Sequence, residues 1–408
     1  MSLVYADNNA TTAPLPEAVE AMLPFLTTNW YNPSSMYAPA HDVGKAVAEA
    51  RKSVARFLGV RGDPNQILFT SCATESNNTA LWGAAKAHPE RKHIITSAVE
   101  HPAILEVCKD MARNGYEVSF IGVDSSGQLR IDEFVRALRK DTLLVTMMHA
   151  NNETGVVFPI EDLARITKET SPSILFHTDA TQSVGKLDID LWGTFSNVDM
   201  LSFSGHKLHA PKGIGALFIR RGTPCRTFMI GGHQEGNRRG GTENVPYIVA
   251  LSKALETLSR DLEGERQHLK NLRDTLEAEL QRTIPYIQIN GHNAERLPNT
   301  TNVSVHFIEG EGMLFGLDEH GICASSGSAC TSGSLEPSHV LRAMNVPFTA
   351  VHGSIRFSFS RFNTMMDVET IVGVFPEVVR RLRTLSPYWD PANNRPRPEA
   401  EGMMRQNS

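Results

Sequence analysis

Lys207 closes the segment Ser202-Phe203-Ser204-Gly205-His206-Lys207, which follows the apolar pair Met200 and Leu201 and precedes Pro211, Gly213 and Gly215. A lysine set down at a strand end among small and hydroxylated residues suits Schiff-base chemistry with a phosphate-bearing aldehyde. A partly desolvated amine is a nucleophile near neutral pH, and the hydroxyl and imidazole before it can bind phosphate. Taken alone, the segment is weak evidence, because most lysines beside a glycine-rich turn are solvated loop residues. The other chemistry-bearing stretches change that weighing. Ser71-Cys72-Ala73-Thr74-Glu75, Glu100-His101-Pro102, Asn151-Asn152-Glu153-Thr154-Gly155 and Asp179-Ala180-Thr181-Gln182 each follow a short apolar run. Small residues opening a helix, as at Ala73 and Thr74, offer backbone N–H groups and a hydroxyl to a phosphate. Singly, Thr74 and Asp179 serve as caps, His101 as a satisfied core histidine and Asn152 as an Asx turn. Five such segments on one sheet edge describe a site.

The elements that must position them follow from the pattern of apolar runs. Residues 66–70, 93–96, 143–147, 174–177, 200–204 and 215–220 read as buried strands, and 75–88, 103–114, 131–139 and 160–170 as helices between them. Strands spaced by helices imply βαβ units, a mostly parallel sheet and helices on both faces, with ligands outside the carboxyl ends of the strands. Beyond Pro246 the character changes. Residues 248–283 carry leucines at helical spacing among many charges and read as one long helix. Residues 287–289 and 302–307 alternate like half-buried strands, 310–320 reads as a helix and 354–359 as a further strand, together an α+β unit. After Tyr388 the chain is rich in Pro, Asn and Glu and is expected to lack structure.

At 408 residues the chain is long enough for two domains, and its formal charge of −5 argues against nucleic acid or an anionic membrane as partner. No apolar run approaches membrane-spanning length, and the first residues show neither the basic start nor the apolar core of a secretory signal. The five cysteines (72, 108, 225, 323 and 330) fit neither a disulfide framework nor a C-x-x-C metal site, which points to a reducing compartment and a cytoplasmic protein. Cys330 stands apart. It sits within Ala324-Ser325-Ser326-Gly327-Ser328-Ala329-Cys330-Thr331-Ser332-Gly333-Ser334, a stretch whose composition is that of a flexible linker. A single thiol in such a stretch would be exposed and mobile, as a group that accepts a cargo in one place and delivers it in another must be. Cys323, after Ile322, reads as buried and inert, and Cys72 as structural.

In this order the segments resemble the cysteine desulfurases, pyridoxal-phosphate enzymes of the class-V aminotransferase family. The likeness runs through Tyr5 to Thr12, Asn32-Pro33-Ser34-Ser35, Glu100-His101-Pro102, Asn151 to Gly155, His177 to Ala180, Gly240-Gly241-Thr242-Glu243-Asn244 and Ser325 to Pro337. It implies the aminotransferase fold of type I, an α/β fold with a large, mostly parallel-sheet domain (14–258) and a smaller α+β domain (1–13 and 259–388), leaving 389–408 as a disordered tail. It also implies pyridoxal phosphate in Schiff-base linkage to Lys207, Asp179 on the pyridinium nitrogen, His101 on the ring face and Gln182 on the phenolic oxygen. Ala73, Thr74, Ser204, Gly205 and His206 would hold the phosphate, with Thr242 reaching the phosphate of a second subunit in a homodimer. Arg356 and Asn152 would hold the substrate carboxylate, and Cys330 would receive sulfur from L-cysteine as a persulfide, leaving alanine. Lys207 and His101 are the implied proton carriers.

The sulfur would pass to an iron–sulfur scaffold protein, making Cys330 a transient iron ligand through its persulfide. The stretch Gly205 to Gly213 and Ser386-Pro387-Tyr388-Trp389 look like the nitrogen-fixation branch rather than the housekeeping one. A transaminase, a selenocysteine lyase and a cofactor-bearing docking scaffold remain as alternative readings.

Overall fold

The computed structural model describes residues 3–326 and 337–404. A short first strand, β1 (Val4–Tyr5), is followed by seven strands that build the main sheet: β2 (Ile67–Thr70), β3 (His93–Ser97), β4 (Glu117–Ile121), β5 (Thr142–Met148), β6 (Leu175–Asp179), β7 (Met200–Ser204) and β8 (Gly215–Ile219). Their order is β2-β8-β7-β6-β5-β3-β4, with β8 antiparallel to both neighbours and the remaining pairs parallel. The sheet is buried on both faces because successive side chains alternate between them. Ile67 and Phe69 join the core under the helices Ala38–Phe57 and Val245–Leu258, whereas Leu68 joins the opposite core with the helices Ala73–Ala87 and Pro102–Arg113. That double burial makes the strands readable as continuous apolar runs. The edge strand β4, exposed at Glu117 and Phe120, shows no such run and escapes sequence reading.

The chain leaves β3 toward β4 on one side and returns through β5 to β7 on the other, so the order reverses between β3 and β5. A crevice opens there at the carboxyl ends of the strands. All five chemistry-bearing segments follow strands that end on this edge.

The smaller unit holds a second antiparallel sheet, β12-β10-β9, formed by β9 (Ile287–Asn290), β10 (Thr300–Val305) and β12 (Ser354–Ser358). Beside it β1 pairs in parallel with β11 (Ile322–Cys323), which ties the chain start to this unit. Leu269, Leu272, Leu276 and Leu280 pack with Val303, Phe357 and Phe375 in its core. The single long helix expected over 248–283 is two helices, Val245–Leu258 and Leu262–Thr283. Asp261 separates them: its carboxylate accepts from Gly264 N and caps the second helix, satisfying a donor that would otherwise be orphaned.

The tail after Tyr388 also departs from expectation. Residues 389–404 form a hairpin of β13 (Trp389–Asp390) and β14 (Arg395–Pro396) and a last helix, Pro398–Met404. Composition hid one anchor. Trp389 is buried edge-on against Tyr286, with the Arg383 guanidinium 4.0 Å from its ring. One aromatic side chain of this size is enough to dock a polar segment. Among the described residues no helix is long and apolar enough to cross a membrane.

Candidate active site

A cavity of about 310 Å³ opens at the strand ends. Ala73, Thr74, His101, Asn152, Asp179, Gln182, Ser204, His206, Lys207 and Arg356 all line it. Gly205 belongs to the same turn, a single 3-10 turn (Gly205–Lys207) that follows β7 directly. A Cβ on Gly205 would come within 3.0 Å of Ala210 Cβ and closer still to Ile214, and one on Gly215 would meet the backbone of Cys72 at 2.8 Å. Both glycines let the strand end and the Ala73 helix approach each other, so they are packing requirements of the cup.

Lys207 Nζ donates to the carbonyls of Asn9 and Ala10, each at 2.7 Å. The chain start therefore folds over the strand ends, and Thr12 N to His206 O (2.9 Å) fastens it there. At the end of β6, Asp179 accepts from Asn77 Nδ2 (2.7 Å) and from Thr181 N (2.9 Å). Asn77 escapes sequence reading; its signal was its place three residues after Thr74 on the same helix. Two residues before Asp179, His177 is held between Thr146 and Ser202, and burial drives its pKa down to about 4, so a neutral ring lies beneath the carboxylate.

His101 Nδ1 accepts from Ala103 N (3.1 Å) and caps the helix Pro102–Arg113, which leaves Nε2 to carry the proton of the neutral ring. Burial lowers its pKa; Asp179 pulls the other way, while Lys207, His339 and Arg356 add to the lowering. His206 is pushed down to about 4 by burial first and then by Lys207, Lys212 and Lys186. Next to His101, Glu100 is fully enclosed, and burial raises its pKa to about 8 although Met148 N and Ser97 Oγ both donate to Oε1.

The far end of the cavity belongs to Arg356 of β12. Its fork is shared between Asn152 O (3.0 Å) and Asp7 Oδ1 (2.7 Å), and its Nε is buried with no hydrogen bond. Asn152 contributes its carbonyl; the Asx turn expected of it is made by Asn151, whose Oδ1 accepts from Glu153 N and Thr154 N. Asp7 and Asn9 are further members that residue-by-residue reading left without a role. Asn9 accepts from Lys207 and Gln182 through its carbonyl and donates to Asn152 O through its side chain.

Residues and cofactor can be tested against each other here. Ser204 Oγ, Thr181 Oγ1 and Gln182 Oε1 are buried at the cavity with no hydrogen bond. The helix Ala73–Ala87 begins at Cys72 without a side-chain cap, so its first N–H groups are unsatisfied by side chains and carry the positive end of the helix dipole. A carboxylate floor, an anion-binding helix end, idle hydroxyl donors and an amine together fit pyridoxal phosphate. Thr242 is not in this cavity. It is exposed on the loop after Arg239, beside Ser71, and Arg239 is held by Glu75 at 2.8 Å. Cys330 lies outside the described residues. Cys323 is half-buried rather than buried, with burial raising its thiol pKa, and Cys72 lines the cavity.

The family pattern of the class-V aminotransferases matches residues 4–371. Cysteine desulfurase of Nostoc sp. is 53% identical over 95% of this chain and 96% of its own length. Cysteine desulfurase NifS of Azotobacter vinelandii is 50% identical over 95% of this chain and 96% of its own. Among solved structures, a NifS-like protein superposes with a TM-score of 0.87 at 36% identity, covering 93% of this chain and all of that one. SspA in complex with cysteine does so with a TM-score of 0.77 at 33% identity, over 88% of this chain and all of that one. The chain belongs to the cysteine desulfurases of the class-V aminotransferase family.

Proposed function

We propose that this protein takes sulfur from L-cysteine, releases L-alanine and holds the sulfur as a persulfide on Cys330, with pyridoxal phosphate carried on Lys207. One observation carries the reading: a single cavity joins the Lys207 amine and the Asp179 carboxylate to a buried arginine fork with an unused donor. That span suits a small amino acid held by its carboxylate beside a cofactor.

When bound, pyridoxal phosphate supplies an electron sink for the bonds at the substrate α- and β-carbons. Asp179 would keep the ring nitrogen protonated, and Gln182 would meet the phenolic oxygen. The N–H groups at Ala73 and Thr74, with Ser204, Gly205 and His206, would hold the phosphate. Arg356 exchanges Asp7 for the substrate carboxylate, with Asn152 beside it; a guanidinium fork matches a carboxylate better than an ammonium does. Lys207 carries the proton at the α-carbon, and His101, neutral with its proton on Nε2, assists. The Cys330 thiolate forms an S–S bond to the substrate sulfur as the C–S bond breaks. The bonding pair stays on carbon, which takes up a proton to become the alanine methyl group.

The same reading makes the protein a cytoplasmic homodimer in which Thr242 completes the partner's phosphate site. Thr242 is exposed and outside its own cavity, and Leu23, Leu26, Trp30, Met36 and Ile230 are exposed apolar side chains suited to a second copy. The acceptor would be an iron–sulfur scaffold serving iron–sulfur and nitrogenase metalloclusters, to which the Cys330 persulfide is a transient iron ligand. The 50% identity to the Azotobacter vinelandii protein named NifS supports this branch. The decisive test is Cys330→Ala. It should keep the absorbance change on adding L-cysteine, form no persulfide and lose alanine turnover by roughly a hundredfold or more; persulfide formed at the wild-type rate would end this reading. Labelled cysteine offered with candidate scaffolds identifies the acceptor.

A further inference from the structure

A second lysine is buried behind the first. Lys186 is buried and lies four residues after Gln182, in the turns that follow β6. Its Nζ donates to the carbonyl of Gln182 at 2.9 Å and to that of Lys207 at 3.4 Å. The side chains of the same two residues converge on a single acceptor: Lys207 Nζ at 2.7 Å and Gln182 Nε2 at 3.0 Å both donate to Asn9 O. Gln182 and Lys207 are therefore joined twice, once by their side chains at the cavity and once through their backbones by a lysine that does not line it. The carbonyl of Lys186 accepts from Arg266 Nε at 2.8 Å, which ties this clamp to the helix Leu262–Thr283.

Burying an ammonium is costly, and here both hydrogen bonds go to neutral carbonyls. Among the described residues no carboxylate pairs with Lys186 directly: Glu265 is held by Arg361 at 3.1 Å, and Arg266 by Asp188 at 2.6 Å. Burial lowers the pKa of Lys186 to about 7, with Lys207 adding to the lowering and Glu265 opposing it. His206 and His209, driven down to about 4 chiefly by burial, stay neutral in this range. We infer that Lys186 is a positioning residue for the cofactor linkage, clamping the Gln182 and Lys207 turns at a fixed spacing and setting a positive charge behind the Lys207 nitrogen. The inference rests on pyridoxal phosphate being carried on Lys207. Two neighbouring cations each make the other's proton easier to lose. Lys186 therefore lowers the proton affinity of the Lys207 nitrogen, as suits a group that takes a proton from the α-carbon near neutral pH.

The test titrates the absorbance of the Lys207-linked cofactor against pH in the holoenzyme, with the melting temperature measured alongside. Lys186→Met removes both clamp and charge and should raise the midpoint by about one pH unit, a tenfold gain in proton affinity. Lys186→Gln keeps a donor for the carbonyls without the charge; it should raise the midpoint similarly, and it decides the question where the methionine variant does not fold. Lys186→Arg keeps the charge and should stay within about 0.3 pH units of wild type. A wild-type midpoint in folded Lys186→Met or Lys186→Gln, even with a lowered melting temperature, overturns the inference, since the lysine would then serve stability alone. Cofactor absorbance that survives Lys207→Ala unchanged would instead sink the linkage on which the inference stands.

Discussion

Arg356 and Arg296 are almost equally hidden from solvent, with side-chain exposures of 4% and 5%. Arg296 is complete. Both arms of its fork meet Glu277, at 2.7 and 2.9 Å, and that carboxylate is held below its usual range by the pairing. Arg356 divides its fork between a carbonyl and a mostly buried aspartate and keeps an unbonded Nε in the interior. A buried charge is costly unless its hydrogen bonds are made, and Arg356 lines the strand-end cavity with one such donor unused. The same contrast separates Glu277, an acid with its partner, from Glu100, whose Oε2 is buried without one.

Three experiments bear on that contrast. Arg356→Lys keeps the charge and removes the fork; kcat/KM for L-cysteine should fall roughly a hundredfold, mostly through KM, while the bound cofactor keeps its spectrum. An unchanged KM would remove Arg356 from carboxylate binding. Arg296→Met should leave activity per folded molecule intact and cost about 3 kcal/mol in denaturant unfolding, because it strands Glu277 in the interior. A larger loss of activity than of stability would mean the two arginines are not different in kind.

Glu100→Gln should have the smallest effect, visible only against pH. The folded pKa of Glu100, about 8, lies above its ordinary value, so its contribution is fully present at low pH and is lost as pH rises through 8. The wild-type melting temperature should therefore fall between about pH 5 and 8, and Glu100→Gln should flatten that fall by about 2 °C. Glu277, with its pKa lowered, works in the opposite direction: its contribution is present above about pH 4.5 and disappears on acidification. Parallel profiles for wild type and Glu100→Gln would show that Glu100 does not titrate in this window.

The readable part of the site was the part made by single strand-to-turn segments. Lys207 after β7, Asp179 after β6 and His101 after β3 each announce themselves by an apolar run followed by polar residues. Asp7, Asn9 and Asn77 carry no such local mark. Arg356 and Asp7 are 349 residues apart in sequence and meet because β1 and β12 flank the same small-unit core. The ordered tail shows the same limit from the other side: composition suggested a solvated segment, and one tryptophan in a crevice between Tyr286 and Phe307 reversed it.

By itself the sequence determined the doubly covered parallel sheet, the family and the residues at its strand ends. The sheet and its strand ends depend on local periodicity and on the rule that parallel strands present their carboxyl ends on one edge, and the family on the resemblance of motifs such as Tyr5 to Thr12 and Gly240 to Asn244. Only the tertiary structure decided that the chain start folds over Lys207, that Thr242 lies outside its own cavity, and that Arg356 keeps an unbonded Nε. These are matters of packing between distant segments, where no residue's own neighbours in sequence carry the information.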